Sequence, residues 1–303
     1  MDDNFFLKPE TREGFHVSEK RKKIWKIQLQ LLSVVEKICK ENDLQYYASN
    51  GTLLGAVKYS GFVPWDDDMD IMMPREDYLR FVRIAREKLS SPYYFQDADD
   101  SETYYRPYGR LRYELSTALS PVDMDREERS GIFIDIFPIC GVDKEHWEKQ
   151  EKKIILLDKL IVAYVYPEFL WKTIKTAVKK VIARTLVNIH SYKWMIQKLN
   201  SFFDEMPYLK ADPVFIYTHQ KPVVIKKSDL NEWRYVSFEY TQIRIPCGYD
   251  TILRAQYGEY KDSLPPLEDR GAHHTIFIDP DKPYSEYYKK FTQEQLKDTI
   301  NNF

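Results

Sequence analysis

Residues 62–73 read Phe-Val-Pro-Trp-Asp-Asp-Asp-Met-Asp-Ile-Met-Met, and this stretch decides the fold of the chain. It sets four carboxylates between a Pro-Trp turn and an apolar run that is typical of a buried strand. Like charges at the mouth of a strand repel one another, and burial raises the free energy of each charged form further. A divalent cation removes both penalties, and Mg²⁺ or Mn²⁺ accepts carboxylate oxygens together with substrate phosphates. The stretch therefore predicts metal-assisted chemistry on a phosphate.

The composition is that of a folded protein without a nucleic-acid partner. The chain has 303 residues, of which 43% are hydrophobic and 30% charged, and its formal net charge is -2. Cys39, Cys140 and Cys247 lie far apart and lack metal-ligand spacing, which is typical of reduced thiols in a cytoplasmic protein. The N-terminus has no signal-peptide pattern, and no apolar run reaches the ~18–20 residues of a membrane span. We therefore expect a cytoplasmic location.

Hydrophobic periodicity predicts the secondary structure. Helical spacing occurs over 18–42, 53–58, 75–89 and 249–257, and over most of 144–206 with a break near Pro167. Strand patterns occur over 44–48, 69–73, 132–138, 214–218, 223–225 and 235–245, with strand and loop over 93–117 and a loop-like tail from Leu264. These elements predict an α+β fold in three parts. They are a core with an N-terminal helix (1–143), a mostly helical basic insertion (144–210) and a C-terminal part that completes the core and the site (211–303).

The candidate catalytic centre combines the acidic stretch with two other motifs. Asp68 and Asp70 alternate, so they point to the same face of a strand, and Asp135 lies within a second apolar strand that could pair beside it. Three converging carboxylates predict a site for two ions, which can hold the attacking and leaving oxygens of an in-line displacement. The Gly51-Thr52 turn at a helix start offers N–H groups and a hydroxyl to a phosphate.

The acidic stretch also has simpler explanations. A solvated acidic loop seldom runs straight into Ile-Met-Met. A calcium-binding loop that begins at Asp66 needs Gly at its sixth position and Glu at its twelfth, where this chain has Ile71 and Asp77. A cap or a salt bridge would explain Asp135 taken alone. In the metal-site interpretation, Asp66 supports the ligands from the preceding turn and Asp67 points away from them.

The motifs around the acidic stretch also resemble one known family as a set. They are Asn50-Gly51-Thr52-Leu53-Leu54-Gly55-Ala56-Val57, Gly61-Phe62-Val63-Pro64-Trp65-Asp66-Asp67-Asp68-Met69-Asp70-Ile71, Pro74-Arg75-Glu76-Asp77-Tyr78, Ile134-Asp135-Ile136-Phe137-Pro138, Gly248-Tyr249-Asp250, Tyr257-Gly258-Glu259-Tyr260, and Leu264-Pro265-Pro266 through Arg270 to His273-His274. The set resembles the LicD family, which consists of phosphorylcholine transferases and related enzymes of the nucleotidyltransferase superfamily. The likeness spans roughly residues 25–140 and 235–275.

The resemblance implies a nucleotidyltransferase-like mixed sheet flanked by helices, with Mg²⁺ bound by Asp68, Asp70 and Asp135. It implies transfer of phosphocholine from a CDP-linked donor to a hydroxyl of a cell-surface glycan, such as lipopolysaccharide, a lipid-linked glycan or a teichoic acid precursor, with release of CMP. Phosphoethanolamine, glycerol phosphate and ribitol phosphate are alternative transferred groups.

The resemblance also extends the list of candidate site residues. It brings Arg270, His273 and His274 near the site, and it includes Trp65 beside the acidic stretch. Family members often carry Arg-His where this chain has Lys58-Tyr59, so Lys58 would offer the donor one cation rather than a bidentate fork.

Two further segments suggest binding surfaces. Tyr104, Tyr105, Arg106, Tyr108, Arg110 and Arg112 form an aromatic and basic run. Arg110 and Arg112 alternate on a predicted strand and could contact donor phosphates, although an amphipathic surface strand explains them as well. Residues 171–198 are basic and helical, which fits peripheral contact with the inner face of a membrane. The simpler explanation is a packed helix with a solvated basic face.

Two other classes of protein compete with a phosphotransferase. An Asp-x-Asp pair also binds nucleotide sugars in metal-dependent glycosyltransferases, but those folds usually place a βαβ region before the motif, and here only one helix and one short strand precede it. A catalytically inactive nucleotide-binding module is the third class. Three intact acidic positions argue against it.

Overall fold

The acidic stretch lies at the centre of a mixed α+β fold. The computed structural model describes residues 6–99, 104–120, 130–165, 174–217, 222–261, 265, 275 and 277–287, except for the side chains of 174–177. The helices are α1 (Glu19–Asn42), α2 (Asn50–Lys58), α3 (Arg75–Lys88), α4 (Trp147–Val165), α5 (Ile174–His190), α6 (Tyr192–Phe203) and α7 (Tyr249–Tyr257). The strands are β1 (Glu10–Arg12), β2 (Phe15–Val17), β3 (Tyr47–Ala48), β4 (Asp70–Pro74), β5 (Tyr93–Gln96), β6 (Gly109–Tyr113), β7 (Thr117–Leu119), β8 (Ile132–Gly141), β9 (Val214–Ile216), β10 (Val223–Ile225), β11 (Trp233–Phe238), β12 (Thr241–Pro246) and β13 (Phe277–Asp279).

Strand β8 is the central element of a seven-stranded sheet. It runs parallel to β4 on one side, and on the other side it pairs antiparallel with β6 over its first half and with β9 over its second. All ten residues of β8 are buried, which explains its continuous apolar sequence. The pairing of β4 with β8 was predicted from sequence and is confirmed, because Asp70 and Asp135 are register partners.

Helix α1 packs against this sheet and carries much of the core. Its N-cap residue Ser18 accepts a hydrogen bond from the Arg21 N–H at 3.2 Å, and the helix ends at Asp43 in the left-handed conformation. Trp25, Leu29 and Leu32 on its inner face are buried. The predicted helix over 18–42 is therefore confirmed.

Helices α4, α5 and α6 pack against one another and form the helical insertion predicted from sequence. The rings of Phe203 at the end of α6 and Phe215 in β9 lie 5.9 Å apart, which joins the insertion to the sheet. The division into three domains remains a prediction. In the parts of the chain that the structure describes, no helix has both the length and the apolar character needed to cross a membrane.

The predicted loop-like tail is partly wrong. Residues 277–279 form β13, which pairs antiparallel with β7. A three-residue strand carries too little alternation for a sequence pattern to reveal it, and its partner β7 lies about 160 residues away in the chain.

Candidate active site

Residues 66–69, which include Asp66, Asp67 and Asp68, form a loop whose backbone is hydrogen-bonded to side chains of α1. Trp25 Nε1 donates to the Asp66 carbonyl at 3.0 Å, and Gln28 Nε2 donates to the Asp67 carbonyl at 2.7 Å. The Trp25 ring also stacks on Phe62 at 4.8 Å. Trp25 and Gln28 are one turn apart on a buried face of α1, so both hydrogen bonds to the loop carbonyls come from one helix. Side chains of α1 therefore fix the backbone of this loop.

Asp70 begins β4 and is held by the start of α2. Its backbone N–H donates to the Thr52 hydroxyl at 2.8 Å, and its carbonyl accepts from the Ser49 N–H at 3.0 Å. Asn50 hydrogen-bonds to the Asp70 carboxylate from a left-handed backbone conformation, with φ at 43°. Asn is one of the few residue types other than Gly that adopts this conformation readily. Asn50 is a site residue that the sequence argument did not select, although its position before Gly51-Thr52 was the available signal.

Gly51 is required by the close approach of a carboxylate. A Cβ atom at this position would lie 2.5 Å from Asp66 Oδ2, well inside van der Waals contact. The first turn of α2 therefore opens directly onto the acidic loop. Gly55, one turn later, is required for a different reason, because a Cβ atom there would overlap the Gly61 carbonyl and approach the Val63 amide.

The carboxylates of Asp66, Asp67 and Asp68 lie close enough together to share a metal ion. Each offers an oxygen, and these oxygens all lie within 4.8 Å of one another. The expectation that Asp67 points away is therefore wrong. Its physical basis was strand alternation, but β4 begins only at Asp70, so residues 66–69 are loop and do not alternate.

Burial and mutual repulsion raise the pKa values of this cluster. The pKa values of Asp66 and Asp70 lie well above the usual range of an aspartate. Burial is the largest cause, the charge of Asp68 is the second, and at Asp70 the charge of Asp135 adds to the rise. The same two causes raise the pKa of Asp67 to about 7. Arg21 opposes the rise at Asp67 but does not cancel it. The protein has thus placed like charges together at a cost that a bound cation would relieve.

Asp135 lies between Asp70 and Arg110 in three adjacent strands. It is the register partner of Asp70 in β4 and of Arg110 in β6. Arg110 Nε donates to Asp135 Oδ1 at 2.5 Å and its Nη2 donates to Oδ2 at 3.1 Å, with both side chains buried. Burial and the neighbouring Arg106 lower the pKa of Arg110, but Asp135, Tyr104 and Tyr108 together raise it, and the net pKa is raised. The pair places a fixed guanidinium beside the acidic cluster.

The two arginines that the sequence could not separate have different partners. Arg112 donates to Gln96 Oε1 at 2.6 Å and to the Gly131 carbonyl at 2.8 Å, and it is fully buried. Those contacts tie β6 to its flanking segments, away from Asp135. The Tyr104 hydroxyl is buried with no hydrogen-bond partner among the described residues, and the charges of Arg110, Arg106 and, more weakly, Arg112 act on it. Of the two arginines, Arg110 is therefore the one that forms the ion pair with Asp135.

Helix α7, in the C-terminal part of the chain, packs against α2 beside the site. Gln256 Nε2 donates to Asn50 Oδ1 at 2.9 Å, so it steadies the residue that contacts Asp70. Burial and the charges of Asp70, Asp66 and Asp68 raise the pKa of Tyr257, which marks its phenol as a neighbour of the acidic cluster. Lys58 is directed to the same segment, since its Nζ donates to the Tyr260 carbonyl at 3.1 Å.

The remaining candidates are placed as follows. Trp65 is partly buried, and its ring lies 6.3 Å from Phe15 and 6.2 Å from Tyr59, each in an edge-on arrangement. Arg270, His273 and His274 lie outside the described residues.

The residues present fit a divalent cation. The donor set is carboxylate oxygen, which suits Mg²⁺ and Mn²⁺. Three of these carboxylates offer oxygens within 4.8 Å of one another, and burial and mutual repulsion raise the pKa values of Asp66 and Asp70, so a bound cation would stabilise their charged forms.

Asp70 and Asp135 thus lie on two adjacent parallel strands of a central mixed sheet. Residues 43–154 match the family model described as LicD/FKTN/FKRP, nucleotidyltransferase domain. Residues 43–154 therefore resemble the nucleotidyltransferase domain of this family, which confirms the resemblance predicted from the motifs. It is 28% identical over 255 residues to the lipopolysaccharide cholinephosphotransferase LicD of Haemophilus influenzae, a match that covers 81% of this chain and 92% of that protein.

Two rickettsial proteins share shorter segments with the chain. An uncharacterized protein of Rickettsia typhi is 40% identical over 55 residues, which is 18% of each chain. An uncharacterized protein of Rickettsia prowazekii is 28% identical over 107 residues, covering 35% of this chain and 36% of its own.

Proposed function

We propose that this protein is a metal-dependent phosphotransferase that moves a phospho-alcohol group from a CDP-linked donor to a hydroxyl of a glycan and releases CMP. The observation that carries the proposal is the anchored loop of like-charged carboxylates beside the Arg110–Asp135 pair. Phosphocholine is the group we favour, because the Haemophilus relative is named as a lipopolysaccharide cholinephosphotransferase. The same name supports a lipopolysaccharide-type glycan as the class of acceptor.

Asp68, Asp70 and Asp135 are the proposed metal ligands, with Asp66 supporting them and two ions as the expected complement. Each carboxylate oxygen has two lone pairs, so the single hydrogen bond that each Asp135 oxygen accepts from Arg110 leaves capacity for an ion. When bound, divalent ions would neutralise phosphate charge and act as Lewis acids. Asp67 joins this list as a further candidate, because its carboxylate lies within the same cluster.

Donor phosphates would lie between the start of α2 and Arg110. Unpaired N–H groups at a helix start bind phosphate oxygens, and the first turn of α2 lies beside the Asp66 carboxylate, where a bound cation would also be held. Arg110 supplies a buried guanidinium already oriented by Asp135. Tyr104 offers a buried hydroxyl beside it. Lys58 is a further candidate for this role, because only one of the three N–H donors of its ammonium group is needed for the hydrogen bond to the Tyr260 carbonyl.

The reaction we propose is one in-line displacement. The acceptor hydroxyl oxygen attacks the distal phosphorus of the donor and forms a new P–O bond. The bond from that phosphorus to the bridging oxygen breaks, and CMP leaves with the electron pair. The hydroxyl proton passes to a carboxylate oxygen of the acidic cluster. The rigid backbone of residues 66–69 would favour this reaction by keeping the charged groups in place throughout.

A thermal-shift screen with CDP-choline, CDP-ethanolamine, CDP-glycerol and CDP-ribitol, each with Mg²⁺, tests the donor. A donor that binds only the native state raises the apparent melting temperature by mass action. We expect the largest rise with CDP-choline, and CMP release when a glycan acceptor is added. A rise with another CDP-alcohol alone would reassign the transferred group. Turnover of a UDP-sugar without CMP release would instead identify a glycosyltransferase and reject the proposal.

A further inference from the structure

Helix α5 carries a line of exposed apolar side chains. The exposed fractions are 53% for Val178, 65% for Val181, 46% for Ile182 and 67% for Ile189. Offsets of three, four and eleven residues from Val178 set all four on one face of a helix. Single exposed apolar residues are normal on a protein surface, but several on one helix face mark an interaction surface, and here Thr185 is the polar residue that separates Ile189 from the other three.

The opposite face of α5 already serves the fold. Ala183 is fully buried, and Leu186 and Val187 pack partly buried against the main core. These residues face α4 and α6, which α5 contacts. Ala183, Leu186 and Val187 therefore provide the packing of α5 against the core. The outward line of apolar residues is not needed for packing within the described parts of the chain.

The charge around this helix has a single sign. From Phe169 to Phe203 the sequence contains seven Lys or Arg residues and no Asp or Glu. Lys179 and Arg184 belong to α5 itself. The whole chain has a formal net charge of -2, so this positive charge is a local feature rather than a property of the protein. We refer to Val178, Val181, Ile182 and Ile189, together with Lys179 and Arg184, as the α5 face.

An aromatic pair stands at the end of the α5 face. The His190 ring stacks on Trp194 at 4.2 Å with an interplanar angle of 19°. His190 is exposed and Trp194 partly buried, next to Ile189. A partly exposed indole beside apolar residues is typical of the boundary between lipid headgroups and acyl chains.

We propose that the α5 face docks on the surface of an anionic lipid bilayer. The apolar line would enter the boundary between headgroups and acyl chains, while Lys179 and Arg184 would meet lipid phosphates. An anionic bilayer offers hydrocarbon and negative charge side by side, which matches both properties of this face. A second copy of the chain, docked face to face through the same surface, would oppose like charges. The proposal does not depend on which reaction the protein catalyses.

Co-sedimentation of the full-length chain with vesicles tests the docking. We expect binding to vesicles of phosphatidylglycerol and phosphatidylcholine, and binding at least about tenfold weaker to phosphatidylcholine alone or at high salt. Replacing Val181 and Ile182 together by Asp should lower the partition coefficient by at least about tenfold, because two charges would enter the apolar boundary. The same change at Leu209, which is 71% exposed but lies off this helix, is the matched control and should leave binding unchanged.

The vesicle-binding measurements can overturn the docking proposal as well as support it. Equal binding of the double variant and the wild type, or no binding of the wild type to anionic vesicles, would overturn the proposal. A dimer in the absence of lipid that the double variant abolishes would assign the α5 face to a second copy instead. If the double variant fails to fold, Ile189→Asp alone replaces it, with circular dichroism as the check. Asp68→Asn should bind vesicles normally, which separates docking from catalysis.

Discussion

Arg110 and Asp135 face each other across two paired strands and form a buried bidentate ion pair beside the acidic loop. Because Asp135 is also the register partner of Asp70, a cation and a carboxylate cluster are held side by side by the sheet itself. That is the arrangement needed to receive a phosphate whose charge requires a cation on one side and metal ions on the other. Its consequences can be measured residue by residue.

Asp68 is the carboxylate whose replacement is most informative. Its charge raises the pKa of Asp66, Asp67 and Asp70, so Asp68→Asn should stabilise the metal-free protein by about 1–2 kcal/mol. The same variant should lose the rise in melting temperature that Mg²⁺ produces in the wild type, and it should lose transfer. Melting curves with Mg²⁺ and with a chelator measure both effects.

The control for Asp68→Asn is Glu87→Gln, which removes an exposed carboxylate elsewhere on the surface. It should leave the Mg²⁺ response intact. Asp68→Ala and Asp70→Ala should likewise abolish transfer while the fold survives. Full activity in either would disprove the metal-ligand assignment.

Arg110→Gln and Arg112→Gln should separate binding from folding. Both arginines are buried and hydrogen-bonded, so each change should lower the free energy of unfolding by about 2–4 kcal/mol. Arg110→Gln should weaken the binding of CDP-choline more than Arg112→Gln does, because Arg110 pairs with Asp135 whereas Arg112 donates to Gln96 and to the Gly131 carbonyl. Calorimetric titration of the donor with Mg²⁺ gives the affinities. Unchanged affinity in both variants would remove the arginines from the donor site.

Gly51→Ala should mainly lower transfer activity, whereas Gly55→Ala should mainly lower stability. At position 51 the new methyl group displaces the Asp66 carboxylate, so transfer should fall by about tenfold or more, with a small change in melting temperature. At position 55 it overlaps the backbone of residues 61–63, and the cost should appear mainly as lost stability. Initial rates and melting temperatures of both variants are the measurement. Equal activity of Gly51→Ala and wild type would show that Asp66 has no role in the site.

The pH dependence of stability should carry a contribution from Asp158. This carboxylate accepts a hydrogen bond from the Tyr217 hydroxyl, and burial raises its pKa from 3.8 to about 6. The folded state therefore binds the proton more tightly than the unfolded state. Stability should fall by about 3 kcal/mol as the pH rises from about 4 to about 6.

Asp158→Asn should flatten that slope and stabilise the protein at pH 7. Tyr217→Phe should steepen it, because the hydroxyl that favours the charged carboxylate is lost. Denaturant unfolding at a series of pH values compares the three proteins. Parallel curves for wild type and Asp158→Asn would exclude the assignment.

The sequence was sufficient to predict the elements that depend on long apolar runs. The acidic stretch and the apolar run around Asp135 each predicted a strand, and two buried strands with embedded carboxylates were expected to pair. Helix α7 has the bounds that its periodicity predicted. These features are local, since the residues that decide them lie within the elements themselves.

The partners within the site could not be predicted, because they depend on tertiary register. No local pattern says that Trp25 and Gln28 hold the acidic loop, or that Arg110 rather than Arg112 meets Asp135. The error about Asp67 has the same origin. Strand alternation was extended into a segment whose path is set by hydrogen bonds from α1.

The hydrogen bond between Gln256 and Asn50 also affects when the site can form during synthesis of the chain. The two residues are 206 positions apart in the chain. At about 5–20 residues per second, a ribosome needs about 10–40 s to synthesise the segment between them. For most of that interval the nascent chain contains the acidic loop but not Gln256, which donates to Asn50. We expect the site to become competent only after synthesis has passed α7, which keeps an unfinished chain from acting on donor or acceptor.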